Sequence, residues 1–216
     1  MTKEQQLTKI KEFAKSFHLN EGTGHDWFHI ERVTNLANKI ALSEQVDYFY
    51  VSIVALLHDV ADYKLNNGDE NSGFIKITNF LSSIDFSKNE IDNIVQDIKN
   101  ISFKGGNNKS ENQSLVSKIV QDADRLDALG AIGIARAFAY GGSKKRLLYD
   151  PEVSPQKNQN AEQYKNSNAP TINHFYEKLL LLKDLMNTAT GKKLAQKRHE
   201  FLEQFLEQFY SEWNEK

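Results

Sequence analysis

The chain has 216 residues, and its 27 Lys and Arg against 29 Asp and Glu leave a formal net charge of −2. That length suits one domain with a buried core, while so even a charge balance supplies no field to gather nucleic acid or an anionic membrane. Cysteine is absent, which excludes disulfides and thiolate metal sites, so any metal must be held by nitrogen and oxygen ligands.

Apolar spacing is helical nearly everywhere, and the three prolines all fall between 151 and 170, so the fold class predicted is all-α. The N-terminal MTKEQQLTKIKEF has no apolar signal core, and no apolar run approaches the ~20 residues of a bilayer span. A soluble, cytoplasmic protein is therefore expected. A first helix is predicted near 3–17, with Leu7, Ile10, Phe13, Ala14 and Phe17 on its apolar side, followed by the loop HLNEGTG. Asp26 reads as the N-cap of a second helix that carries Ile30, Val33, Leu36, Ala37 and Ile40 on one face. Asp47 caps a third helix, whose interior VSIVALL is apolar all round and therefore central. The polar LNNGDENSG ends it. Two shorter helices follow near 71–82 and 88–100, then the loop SFKGGNNKS.

The next helix carries Leu115, Val116, Ile119, Val120 and Ala123, and the small residues of ALGAIGIARAFAYGG suit close helix packing. Residues 141–170 hold all the prolines and read as a long irregular segment, either a lid or disordered. Two antiparallel helices over 171–187 and 191–213 complete a hairpin. Its seam of Leu194, Phe201, Leu202, Phe205, Phe209 and Trp213 faces either the core or a second copy, which leaves a homodimer open. The whole chain, 1–216, is expected to be a single domain with a core at about 20–140, the irregular segment 141–170 and the hairpin 171–214.

Chemistry concentrates at three apolar faces. His29 precedes Val33 and Leu36 on the second helix and points inward with them; His58 continues the face of Val51 and Val54, with Asp59 beside it and Asp62 one helical turn further; Asp124 follows Val120 at i+4. Inward acids from two helices are costly without a cation. Two imidazoles and two carboxylates make a mixed site suited to Mn²⁺, Fe²⁺, Co²⁺, Ni²⁺ or Zn²⁺, with Mg²⁺ as a further candidate, and less to Ca²⁺. Four protein ligands on a six-coordinate ion leave positions for water and substrate, as a catalytic site requires.

His29 in HIERV, His58-Asp59 in LLHDVAD and Asp124 in DADRLDALG together resemble the H…HD…D signature of the HD-domain metal-dependent phosphohydrolases, over roughly residues 20–140, with Arg32 matching the Arg of HxxRV. The resemblance implies an HD-domain helical bundle with the ion in its core. It also implies hydrolysis of a phosphate ester or anhydride of a small phosphorylated metabolite, often a nucleotide, by a metal-activated water. Asp62 sits where similar enzymes place a carboxylate just after the HD pair, which makes Asp62 a general base or water positioner beside the catalytic ligand Asp59. Residues 60–123 contain no histidine, whereas dinuclear members need further His ligands there, so one divalent ion is expected. Resemblance to the guanosine-tetraphosphate hydrolases is partial, because their Glu-Asp pair is replaced by Asp62-Tyr63.

Arg32, Lys104, Arg125 and His25 are the candidates for substrate contact. Three of them have a plainer reading: His25 as a surface residue or support for a ligand, Lys104 as part of an exposed FKGGNNK loop, Arg125 as a partner of Asp122 or Asp127. Asp26 is read as a cap, His174 and His199 as structural, and Trp27 and Phe28 as core aromatics that could otherwise stack a base. The alternative to an enzyme is a catalytically silent metal-binding regulatory or interaction module of the same fold. Nucleic-acid binding through the KKR of residues 144–146 is disfavoured by the charge balance.

Overall fold

The computed structural model describes residues 1–18, 26–62, 65–66, 68–101, 113–156 and 168–215. Among them are nine α-helices and one 3-10 helix, and no strand. Their contacts divide into two compact units: Met1–Phe103 with Lys109–Ala123, and Lys104–Asn108 with Asp124–Lys216.

The first unit is built around α3 (Tyr48–Leu57), in which every residue from Val51 to Leu57 is buried. An apolar helix of this kind can be stable only when wrapped on all sides, and α1 (Lys3–His18), α2 (Trp27–Ser43) and α5 (Lys88–Ile101) pack around it. Side-chain oxygens cap the starts: Asp26 accepts from the His29 amide at 2.8 Å, and Asp47 accepts from Phe49 N at 2.9 Å. α2 buries His29, Ile30, Val33, Ala37 and Ile40, the inward face expected from their spacing. α4 (Glu70–Ser82) packs on α5, and Asp69 caps it through Asn71 N. The α4–α5 turn passes through Asp85 at φ +67°, a left-handed position that Asp tolerates. α5 then opens on a reciprocal Ser87–Glu90 box, whose hydroxyl and amide donors hold the Glu90 carboxyl below its ordinary pKa.

α6 (Leu115–Asp127) crosses from the first unit to the second. Its start is tied to α5 by a hydroxyl network on the buried Asp97: Ser114 Oγ and Ser117 Oγ donate to Asp97 Oδ1 at 2.6 and 2.8 Å. Tyr50 of α3 hydrogen-bonds the same carboxylate, and burial together with that negative charge pushes the phenol pKa up.

The second unit packs α7 (Gly130–Ser143) against the long α9 (Ala189–Trp213), with α8 (Thr171–Glu177) and the 3-10 helix Leu179–Leu185 alongside. A Cβ at Gly141 would lie 2.1 Å from Thr171 Oγ1, so glycine is what lets α7 and α8 approach, as the small-residue stretch anticipated. Three expectations need correction here. Residues 171–187 are not one helix: Lys178, at φ −140°, breaks it, and the leucines beyond bury Leu179 and Leu182 at the three-residue spacing of a 3-10 turn. α9 buries Gly191, Ala195, His199, Leu202 and Leu206, so the seam lies only partly on the core face: Leu202 is inside and Phe205 packs on Phe138 and Phe175, while Phe201 and Trp213 remain 47% exposed. The irregular segment begins after Ser143, and its described part is fastened to α8, not loose. Thr171 N and Ile172 N donate to the carbonyls of Leu147 and Leu148, and Asn173 Nδ2 donates to Val153 O.

Candidate metal centre

His29 is placed by the first turn of α2, where burying Ile30, Val33 and Ala37 forces the imidazole inside; it is fully buried. Asp26, as cap, holds the backbone of this residue by accepting from its amide. His58 is the C-cap of α3, still in helical conformation, and is likewise buried. Its Nδ1 lies 2.7 Å from the carbonyl of Ala55. A carbonyl can only accept, so Nδ1 carries the proton and Nε2 presents a lone pair.

Asp59 lies between the two rings. Oδ2 is 3.4 Å from His29 Nε2 and Oδ1 is 3.4 Å from His58 Nε2. The rings meet edge to face with centroids 5.6 Å apart. These separations are longer than the ~2.8 Å of a charge-assisted hydrogen bond. They match the roughly 3.0–3.4 Å between neighbouring ligand atoms around an ion with bonds of about 2.1 Å. The buried His58 Nε2 makes no hydrogen bond among the described residues. His29, His58 and Asp59 together bring ligand atoms within 4.8 Å of one another. This donor set fits a divalent ion.

The other expected residues are distributed as follows. Asp124 is half-buried on α6, one turn after the fully buried Val120, and is the first residue of its stretch of the second unit. Asp62 is half-buried, but the expectation that it extends the helix of His58 is corrected: α3 ends at Leu57, and Asp62 follows in a turn where its amide bonds Asp59 O at 2.9 Å. Val60 N bonds Leu57 O at 3.1 Å, so the buried Val60 and Ala61 lie in turns and do not prolong the helix. Arg32 is half-buried on α2, one turn after His29. Arg125 donates to the carbonyl of Leu185 and so ties α6 to the end of the 3-10 helix. His25 and Lys104 lie outside the described residues.

Several neighbours have structural partners. Asp127 is buried and paired with Arg136 at 2.6 Å. His199 sits on the core face of α9, with Nε2 3.2 Å from Glu203. Trp27 is core, covered by the ammonium groups of Lys11 and Lys15, but Phe28 is 65% exposed and is corrected from a core aromatic to a surface one. Asn66 went unrecognised in the sequence: it is buried beside the turn that carries Asp62, donating to Val60 O and Asp62 O. An Asn in LNNGD reads as a loop residue, and nothing in a single sequence marks it otherwise.

Residues 27–129 match the HD domain family model. The Bacillus subtilis protein YpgQ is 38% identical over 94% of this chain and 92% of its own length. Among solved structures, a Lactobacillus plantarum protein superimposes with a TM-score of 0.86 at 37% identity over 99% of both chains. An HD-superfamily hydrolase from Bacillus thuringiensis gives a TM-score of 0.78 at 43% identity over 100% of both. YpgQ in complex with ADP gives a TM-score of 0.78 at 36% identity, over 98% of this chain and 97% of that one. The all-helical fold, the HxxRV, HD and ADRL motifs and these likenesses together place the chain in the HD-domain superfamily of hydrolases, among its YpgQ-like members.

Proposed function

We propose that the chain is a phosphohydrolase that uses one divalent ion and a metal-activated water to cleave a phosphate ester or anhydride of a nucleotide. The observation that carries this is the convergence of His29 Nε2, His58 Nε2 and the Asp59 carboxylate, with the His58 tautomer fixed for ligation. The ADP held by the related YpgQ supports a nucleotide as substrate.

His29, His58 and Asp59 would hold the ion, with Asp124 as the fourth ligand that the family motif implies. Bound there, a divalent ion lowers the pKa of a coordinated water toward neutrality and polarises a phosphoryl oxygen. The Ala55 carbonyl keeps the proton of His58 on Nδ1, which orients the ring. Asp62 would accept the proton of the attacking water or orient it. Arg32, Arg125, His25 and Lys104 would supply positive charge and N–H donors to the substrate phosphates. The absence of histidine between 60 and 123 supports a single ion.

Metal analysis of purified protein, followed by phosphate and pyrophosphate release from ADP and ATP with added Mn²⁺, tests the reading. Bound metal with release that scales with occupancy is expected. No bound ion and no release would overturn it, and bound ion without release would favour a silent binding module.

A further inference from the structure

Past the end of α3 the chain runs through turns closed by Val60 N on Leu57 O, Asp62 N on Asp59 O and Leu65 N on Asp62 O, and the carbonyls of Val60 and Asp62 take further donors from a side chain. Asn66, only 4% exposed, supplies them. Its Nδ2 donates to Val60 O at 2.8 Å and to Asp62 O at 2.9 Å, and its Oδ1 accepts from Lys76 Nζ at 2.9 Å. The two carbonyls only accept and the ammonium only donates, so the orientation of the amide is fixed by chemistry. An Asp in its place would set carboxylate oxygens against two carbonyl oxygens.

α4 presses on this clamp from outside. A Cβ at Gly73 would lie 2.5 Å from Ala61 Cα and 2.8 Å from Asn66 Nδ2, so α4 sits directly on Ala61, between the two bonded carbonyls. The backbone on both sides of Ala61 is thereby held to α4 through Asn66, Gly73 and Lys76.

We infer that Asn66 is a positioning residue for Asp62: its amide locks the turn after the His58-Asp59 pair and so fixes where the Asp62 carboxylate is presented. The inference rests on the role proposed above for Asp62. Because a misplacement of about 1 Å in a reacting group can cost roughly a hundredfold in rate, a lost clamp is read out in turnover, not in metal binding.

The test uses the full chain with Mn²⁺ and ATP, as wild type, Asn66→Ala, Asp62→Asn and the double variant. Hydrogen exchange of residues 58–62, Mn²⁺ affinity by calorimetry, kcat and KM are measured on each. In Asn66→Ala, exchange at 58–62 should rise at least about tenfold, with kcat down roughly ten- to hundredfold and KM and Mn²⁺ affinity within about threefold. Added to Asp62→Asn, the same change should cost nothing further. Unchanged exchange at 58–62 overturns the clamp, as does a full second loss of kcat in the Asp62→Asn background. An Asp62→Asn protein with wild-type turnover instead overturns the role of Asp62, and the inference with it. Should Asn66→Ala fail to fold, Lys76→Met loosens the clamp from its solvent side: about a two- to fivefold fall in kcat is expected, absent when Asp62 is already Asn, and a wild-type rate overturns the inference.

Discussion

Asp59 stands between two buried imidazoles at equal 3.4 Å separations, and that symmetry governs what its removal would do. Asp59→Ala is expected to abolish Mn²⁺ binding by calorimetry and hydrolysis together, because it removes the carboxylate set against both imidazoles and leaves Asp124 as the single anionic group proposed for the ion. Retained binding would show that the ion sits elsewhere. Asp124→Ala should weaken Mn²⁺ binding by about tenfold or more if that residue is the fourth ligand, and wild-type affinity would remove it from the set. His174 carries a pH prediction. Burial, followed by the charges of Lys178 and Arg146, pushes its pKa down to about 3. A folded-state pKa below the unfolded value means that the unfolded chain takes up the proton first. Stability from this group is therefore complete above about pH 6.5 and declines as pH falls toward 3, by about 2 kcal/mol between pH 7 and pH 5. Urea unfolding at the two pH values should show that difference in the wild type and a much smaller one in His174→Gln.

At the scale of the element, α3 shows most plainly what a linear pattern can and cannot specify. VSIVALL is apolar on every side, and that alone fixed it as central. The end of the helix was not legible: the helical spacing of His58 and Asp62 suggested a continuing turn, whereas the chain leaves the α-helix at Leu57 through turns closed by Val60 N on Leu57 O and Asp62 N on Asp59 O, with Asn66 donating to the carbonyls of Val60 and Asp62. The C-terminal leucine run failed for a related reason. Four consecutive leucines offer no phase, so neighbours decided which two were buried, and they chose positions 179 and 182. The Asp97 network that joins α3, α5 and α6 was equally invisible, since Asp97, Ser114 and Ser117 are ordinary polar residues in sequence. Asp97→Ala should destabilise the protein by about 1–2 kcal/mol in denaturant unfolding, because it removes the carboxylate that Ser114, Ser117 and Tyr50 share, while Ser117 Oγ keeps the Asp97 backbone carbonyl and Ser114 Oγ the Ser117 hydroxyl. A change below about 0.5 kcal/mol would mean that those donors find water.

For the whole molecule, the aromatic cluster of Phe138, Phe175 and Phe205 lies where α7, α8 and α9 of the second unit meet, with Phe175 fully buried. Phe175→Ala is predicted to cost about 3–5 kcal/mol and to lower the melting temperature clearly. Mn²⁺ should raise that temperature in the wild type, since an ion that binds only the folded chain stabilises it by mass action; EDTA should reverse the rise, and Asp59→Ala should show neither. No helix among the described residues is long and apolar enough to cross a membrane. By itself the sequence determined the helical class, the capped starts of α2 and α3, and the candidate ligands His29, His58 and Asp59. Periodicity, cap chemistry and the cost of inward charge are all properties of local spacing. The tertiary structure alone decided the distance between those ligands, the tautomer of His58, the turn that carries Asp62, and the employment of Asn66 to hold it. Each of these depends on which backbone group a distant residue meets, and no spacing along the chain encodes that.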